Sequence, residues 1–527
     1  MSHPFQPIVQ PLSPLLPRRS FLQIGSSLAL LASPIAGPGL LAATVAPARA
    51  LHSSGNLKAL QRSLKGRLIL PGDGGFHLAA FPNNARWAHV LPKAVALCAD
   101  EADVQLCLRW AREHRQPFAV RSGGHSYAGF STTTGLLISV RHIKQVAFDL
   151  ERRIATVGAG ASNQDIADVL RHTNLAIPSG RCPTVGVSGL VLGGGWGFSA
   201  TRSGLTADSL LASNIVLADN RRAVARGPSS LGNADGMPAG ETENADLFWA
   251  LRGGGGGNFG VNTSFTFRLS EASPVTLFNI LWPGEKQVDM LSLLQSIQLN
   301  HATQMSTRTK AYPDQAGAKP GRNQLQVATL GLFWGSEAQA RDALAPALNL
   351  VKPLKVSLRS MPYWQARDEL VTDDPTGLYD LRSAYIGNQL QPEGLEEMLR
   401  WMMKWPGGSV LPENMGILFA IGGKVRDVAA NATAYVHRNA NFIFEMECNW
   451  APFDKPGVVL NQQAWLADYA EAMQPFVLPQ AYVNFPSRDQ KDWGRAYYGS
   501  NLERLSKVKT HYDPDNFFRF AQSVPRG

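Results

Sequence analysis

From residue 85 onward, apolar runs of strand length alternate with longer stretches whose apolar residues recur at helical spacing. "HVLPKAVALCA" (89–99) reads as an extended run ending in a strand. "DEADVQLCLRWAREH" (100–114) reads as an amphipathic helix opened by acidic residues, which suit its positive N-terminal end. "PFAVRSGG" (117–124), "GLLISV" (135–140) and "RIATVGAG" (153–160) are strands, and "ASNQDIADVLRHTN" (161–174) is a helix. "ADSLLASNIVLADN" (207–220) runs from helix to strand, and "VNTSFTFRL" (261–269) alternates as a half-buried strand does. Between them, 226–245 has the Gly/Pro/Ser/Asn mix of a mobile surface loop. After Pro274 the texture changes. "EAQARDALAPALNLV" (337–351) and "EGLEEMLRWMMKW" (393–405) are helical, whereas "GILFAIGG" (416–423) and "ANFIFEMECNW" (440–450) are extended. The pattern is that of an α+β protein with one unit at 85–273, a second of sheet plus helices at 274–475, and a tail at 476–527 combining a strand, a helix and a capping turn.

Length and composition agree with that division. A chain of 527 residues exceeds what one core usually serves, and 44% hydrophobic residues support extensive burial. The net charge is +9, but Lys and Arg are scattered, and a nucleic-acid surface needs them clustered. The first fifty residues contain no Asp or Glu. They carry "PRRSFLQIG" with Arg18 and Arg19, then a small-residue apolar stretch broken by Pro34 and Pro38, then "ARA" ending at Ala50. This matches a bacterial twin-arginine export signal over 1–50, read by the twin-arginine translocase, and predicts a periplasmic or secreted protein without a membrane anchor. The route carries folded proteins, so a cofactor could be loaded before export. Cysteines at 98, 107, 182 and 448 are too few for a disulfide scaffold, with a Cys98–Cys107 bridge left open.

Two loops stand out. "RSGGHSYAGF" (121–130) sets His125 behind two glycines, and "SGRCPTVGVSGLVLGGGWGF" (179–198) opens on Cys182. Together with "GGGGG" (253–257), such glycine density suggests backbone crowding an anion or a planar ligand. No Gly-Lys-Ser/Thr follows, so neither loop is a P-loop, and "VGAGAS" (157–162) lacks the third glycine of a dinucleotide fingerprint. His125 and Cys182 lack two further ligands at zinc spacing, so no metal site is expected. Nor is Cys182 followed by residues that suit a thiol hydrolase.

"RSGGHSY", "GRCPTVGVSGLVLGGGWG", "DLFWALRGGGGGNFG", "YVNF" and "KVKTHYDPDNFF", in that order, resemble the berberine bridge enzyme-like flavoprotein oxidases. The resemblance implies a two-part PCMH-type FAD-binding domain, a substrate domain with a helix-covered antiparallel sheet, and a C-terminal segment returning to the FAD domain. It also implies FAD bonded covalently to His125 through the flavin 8α-methyl and to Cys182 through C6. Imidazole and thiolate are suitable nucleophiles toward an electron-poor ring. The cofactor-binding residues it implies are Arg121, Ser122, Gly123, Gly124 and Ser126 in the first loop, and Gly186, Val187, Gly189, Gly193, Gly194, Gly195 and Gly197 in the second. Asn484 is implied to bond the flavin from a strand that also carries Tyr482.

The implied reaction moves a hydride from a substrate C–H to flavin N5 while a base takes an O–H or N–H proton. Period-2 alternation puts Glu445 and Glu447 on one strand face, with Glu445 the first choice of base and Glu447 the second. Tyr127 and Tyr482 are the implied catalytic tyrosines, and His437 in "TAYVHR" (433–438) reads as structural. Val185 stands at the family's oxygen gate, where valine accompanies oxidases, so O2 is the expected acceptor and H2O2 the product. Leu190 replaces a histidine of the best-known members and leaves the oxygen kinetics open. Tyr363, Trp364, Tyr379, Tyr385, Asn388 and Gln389 suit stacking on a small-molecule substrate, an alcohol or hemiacetal of a carbohydrate or secondary metabolite. Amine or alkaloid oxidation with C–N or C–C bond formation stays open, as does a flavin-carrying binding protein.

Overall fold

Asp100 caps the first predicted helix, its side chain accepting from the Asp103 N–H, and the helix runs Glu101–Glu113. Its buried stripe of Val104, Cys107, Leu108 and Ala111 faces a four-stranded sheet. The strands lie in the order Arg67–Ile69, Ala94–Leu97, Leu136–Ser139, Phe118–Arg121, the last three parallel. Asp103 is buried, and its carboxylate accepts the backbone N–H groups of Lys65, Gly66 and Ala99. In this computed structural model the described residues are 50–227, 243–317, 319–371 and 376–527. The export signal and most of the 226–245 linker lie outside them. Residues 56–527 form one unit. No helix among the described residues is long and apolar enough to cross a membrane.

A second, wholly antiparallel sheet has the order Val146–Asp149, Ile154–Gly158, Val261–Arg268, Leu210–Val216, Arg222–Arg226. Ser162 and Asp165 form a reciprocal capping box that starts the helix Asn163–Leu170 beside it. The helical half expected of 207–220 is a single 3₁₀ turn, Thr206–Ser209, ahead of the strand.

The third sheet has seven antiparallel strands, and its two faces divide the protein. Phe442, Phe444, Met446 and Cys448 of the strand Phe442–Trp450 pack toward the helices Pro392–Met403 and Pro456–Met473 through Met398, Leu399, Leu466 and Tyr469. Ile443, with Ile417 and Phe419 of the strand Gly416–Ala420, meets Trp196, Phe198, Tyr435 and Tyr482 on the opposite side. Alternation thus turns Glu445 and Glu447 away from the helices, toward the two loops. This is the predicted α+β class, with the antiparallel sheet helix-covered on one face.

The tail forms the helix Leu502–Tyr512, and Phe517 and Phe518 then lie 4.8 and 5.6 Å from the Phe118 ring of the first sheet. The expected strand through Tyr482 and Asn484 does not form. The Tyr482 N–H goes to Ser383 Oγ and its hydroxyl accepts from Gly195 and Trp196, so these groups are satisfied one by one rather than by a ladder. None of the four cysteines forms a disulfide, and the Cys98 and Cys107 sulfurs lie 4.0 Å apart, in hydrogen-bond contact only.

Candidate active site

The two loops touch. His125 Nε2 and Thr184 Oγ1 are hydrogen-bonded at 2.8 Å, two residues past Cys182. Gly123 and Gly186 cross so closely that a Cβ on Gly123 would lie 2.3 Å from Gly186 N, and one on Gly186 would lie 2.2 Å from Ser122 Oγ. Gly124 follows at φ +81, where only glycine is relaxed. Gly123→Ala is therefore expected to lower stability by about 1–3 kcal/mol and to loosen flavin retention. An unchanged unfolding midpoint would contradict this crossing.

Around the crossing, the implied residues are fixed by protein contacts. Arg121 Nε donates to Ser131 O and Nη1 reaches the carbonyls of Ala79, Ala80 and Phe81, while burial lowers its pKa to about 10. Ser122 Oγ donates to Ala159 O, and Ser126 Oγ accepts from the Phe130 N–H to close the turn. Val187 opens the short helix Val187–Leu192 and donates its N–H to Ala161 O. Gly189 on that helix has open space around its Cβ position. The later glycines do not. A Cβ would strike Asn484 at Gly193, Tyr435 at Gly194, Thr206 at Gly195 and Ser179 at Gly197. Protein packs against the Cβ position of each of these four, so a side chain has no room there. Asn484 likewise gives its amide N–H groups to Leu190 O and Tyr482 Oη.

The cysteine loop is braced by a residue that the sequence reading missed. Asn163 Nδ2 donates to Cys182 O at 2.9 Å, Asn163 N to Val185 O, and Gln164 N to Pro183 O. Arg367, buried on the helix Tyr363–Leu370, holds Asn163 O and Gln164 Oε1. Loop 182–185 is thus clamped through a helix nearly two hundred residues downstream in sequence.

Opposite the loops, Glu445 and Glu447 share the sheet face as alternation predicts, and both are buried. Glu447 Oε1 accepts from Asn414 and Asn449 at 2.9 and 2.7 Å, bonds that favour its charged form. Glu445 has no hydrogen-bond partner among the described residues. Burial first, then the charge of Glu447, pushes its pKa up to about 8, with Arg308 and Arg181 pulling the other way. Burial raises the pKa of Glu447 as well, with its bonds to Asn414 and Asn449 and the charges of Arg308 and Arg181 pulling it down, so the two carboxyls differ in that Glu447 alone is held by amide donors. The Tyr127 ring lies edge-on to Tyr379 and Phe485, both 5.4 Å away. Its pKa is raised by burial and by the fields of Glu445, Tyr379, Glu447 and Cys182, so loop and sheet residues converge there.

The other implied residues scatter. Tyr482 is buried, with its hydroxyl accepting from Gly195, Trp196 and Asn484; burial raises its pKa and these bonds lower it. Of the aromatic and amide residues proposed for the substrate, only Tyr379 adjoins the site. Tyr363 and Tyr385 belong to the core, Trp364 packs against it, Gln389 bonds Ser296, and Asn388 O accepts from Asn441. His437 stacks on Tyr385 at 4.2 Å and bonds Tyr497 O, with burial lowering its pKa to about 4, as befits a structural histidine.

Comparison with known proteins decides the family. The FAD binding domain family matches residues 92–224, and the berberine and berberine-like family matches 481–525. The uncharacterised FAD-linked oxidoreductase YvdP of Bacillus subtilis (strain 168) is 31% identical over 466 residues, 88% of this chain and 98% of that protein. The chain belongs to the berberine bridge enzyme-like FAD-linked oxidoreductases. Among solved structures, BBE-like 1 of Physcomitrella patens superposes with a TM-score of 0.77 at 26% identity, over 89% of this chain and 99% of its own. Xylooligosaccharide oxidase from Myceliophthora thermophila C1, in complex with xylobiose, gives 0.75 at 25%, over 90% and 99%. The residues of this oxidoreductase fit an FAD. Imidazole and thiol lie on touching loops, Gly189 faces open space, and a carboxyl of raised pKa stands within the field of Tyr127.

Proposed function

We propose that this oxidoreductase is an exported oxidase of carbohydrate alcohols or hemiacetals, with its FAD bonded to both His125 and Cys182. The observation that carries the reading is the His125–Thr184 contact, which brings the imidazole loop and the thiol loop together in front of the Glu445 face. An FAD held by His125 and Cys182 would supply the hydride acceptor for the substrate carbon and the route of the electrons to oxygen, with H2O2 as the product.

The chain's own groups do the rest. Ionised Glu445 takes the hydroxyl proton at its carboxylate, a base whose raised pKa suits proton transfer near neutral pH. Glu447, fixed by Asn414 and Asn449, stands beside it, and its field adds to burial in raising that pKa. Tyr127 and Tyr379 wall the substrate side with aromatic edges. The Asn163–Arg367 clamp fixes the Cys182 carbonyl and hence the thiol's approach. Val185, half-buried and anchored through its carbonyl to Asn163, is the side chain read as the oxygen gate. The xylobiose-bound oxidase among the structural neighbours supports a sugar, and Arg18 and Arg19 support the twin-arginine route and an extracytoplasmic location.

An oxygen electrode with a panel of sugars, alcohols and amines tests this. Sugars are expected to drive O2 uptake with stoichiometric H2O2, and Val185→Leu is expected to slow reoxidation at least tenfold. Ready reduction of dyes with negligible O2 uptake by the unaltered protein would overturn the oxidase assignment; turnover of amines alone would overturn the sugar.

A further inference from the structure

The loop that carries His125 is held on both sides of the imidazole by one short segment, 83–87. The Asn83 N–H donates to Gly124 O at 3.1 Å, immediately before His125. Tyr127 O, two residues after it, accepts from Trp87 Nε1 at 2.8 Å and from Asn84 Nδ2 at 3.2 Å. The Trp87 ring also covers the turn, since a Cβ on Gly129 would lie 2.6 Å from it. Arg488 lies 4.1 Å over the same ring and donates to Ala128 O, so the indole is itself fixed.

The segment is anchored in turn to the strand Leu378–Ile386 and the residue before it. The Ala85 N–H donates to Gly377 O at 2.8 Å, and Tyr379 Oη donates to Asn83 Oδ1 at 2.9 Å. Asn84 joins the two ends. It is fully buried, and its amide donates to Tyr379 O at 3.1 Å as well as to Tyr127 O. Its Oδ1 accepts the Arg86 N–H and so caps the 3₁₀ turn Ala85–Trp87. Truncating this one side chain withdraws all three bonds from buried or half-buried backbone. The cysteine loop takes its support from other residues, Asn163 and Arg367. Each nucleophile therefore has its own brace, although the loops touch at His125 and Thr184.

We propose that Asn84 is the positioning residue for the His125 tether, holding the imidazole in place for the flavin by fixing its loop to the strand Leu378–Ile386, and that it has no part in the Cys182 tether. The inference rests on the reading of an FAD bonded at both residues. Attachment exchanges an imidazole N–H and a methyl C–H for one N–C bond, and the two electrons and two protons released reduce O2 to H2O2. Such a bond forms only from a well-aligned pair, and a misplacement of about 1 Å can cost on the order of 10²-fold in rate.

Holoprotein variants are precipitated with acid, and the mass of the pelleted chain gives the fraction that carries FAD. Cys182→Ala, bonded through His125 alone, is expected to stay loaded. Adding Asn84→Ala is expected to lower its loaded fraction about tenfold or more. In His125→Ala, bonded through Cys182 alone, the same addition is expected to leave the fraction unchanged, which shows that the altered chain folds and takes up FAD. Trp87→Phe removes one donor to Tyr127 O and keeps a ring over the turn. It is expected to give the same one-sided loss, and where Asn84→Ala does not fold, unchanged loading of Trp87→Phe overturns the inference. Equal loading of Cys182→Ala with and without Asn84 overturns it, as does equal loss in both backgrounds, the mark of a general loosening. Pigment released wholly by Cys182→Ala alone overturns the histidine bond itself, and the inference with it.

Discussion

Glu445→Gln is expected to slow substrate-driven bleaching of the flavin by roughly two to four orders of magnitude while all colour stays with the protein. The amide keeps the shape of the side chain and cannot take a proton, so the loss isolates base chemistry from packing. The same carboxyl fixes the pH dependence. Its pKa is raised to about 8, and the base works only when ionised, so kcat/KM of the unaltered enzyme should climb as pH rises through 8. Stability should move the other way. Between the unperturbed 4.5 and about 8 the unfolded chain has released this proton and the folded chain still holds it, so folding loses ground across that window. Glu445→Gln should therefore gain thermal stability relative to the unaltered protein at pH 8 and not at pH 4. Full activity of the variant would move the base elsewhere, and a flat pH profile between 6 and 9 would contradict its raised pKa.

Lys509→Met is expected to destabilise the fold by about 3–5 kcal/mol, the usual result of removing one member of a buried ion pair. Lys509 Nζ and Asp513 Oδ2 lie 2.7 Å apart, both fully buried, one helical turn from each other. Lys509 also donates to the carbonyls of Asn258 and Phe518, while Asp513 accepts the N–H groups of Phe517 and Phe518. The pair therefore pins the tail to the 253–258 glycine segment and to the aromatic contacts with Phe118. The physical content of "KVKTHYDPDNFF" is this buried Lys/Asp spacing. Urea unfolding of Lys509→Met, Asp513→Asn and the double variant gives the check. The double variant should cost less than the two single losses summed, because neither charge is then left alone. Strict additivity would mean that the pair is not coupled.

The sequence was informative where chemistry and spacing coincide. Alternation alone put Glu445 and Glu447 on one face, and the acidic first turn located the helix Glu101–Glu113. What stayed hidden depends on register between distant strands. Arg308 and Asn414 join the carboxylates only because Met305–Pro313 pairs with Gly416–Ala420 and Glu447 N bonds Asn414 O. Arg367 looks like an ordinary helix arginine until the fold sets it against Asn163. Glycine density has a second cause that spacing alone does not show. The run 193–197 is glycine-rich because Asn484, Tyr435, Thr206 and Ser179 press on it, and a linear pattern does not separate protein neighbours from a ligand.

Acid precipitation of the purified yellow protein, followed by mass measurement of the pellet, tests the double tether most directly. The chain is expected to carry the mass of one FAD after denaturation. His125→Ala and Cys182→Ala should each keep it through the remaining bond, and the double variant should release it entirely. Pigment freed wholly into the supernatant by the unaltered protein would contradict attachment at either loop.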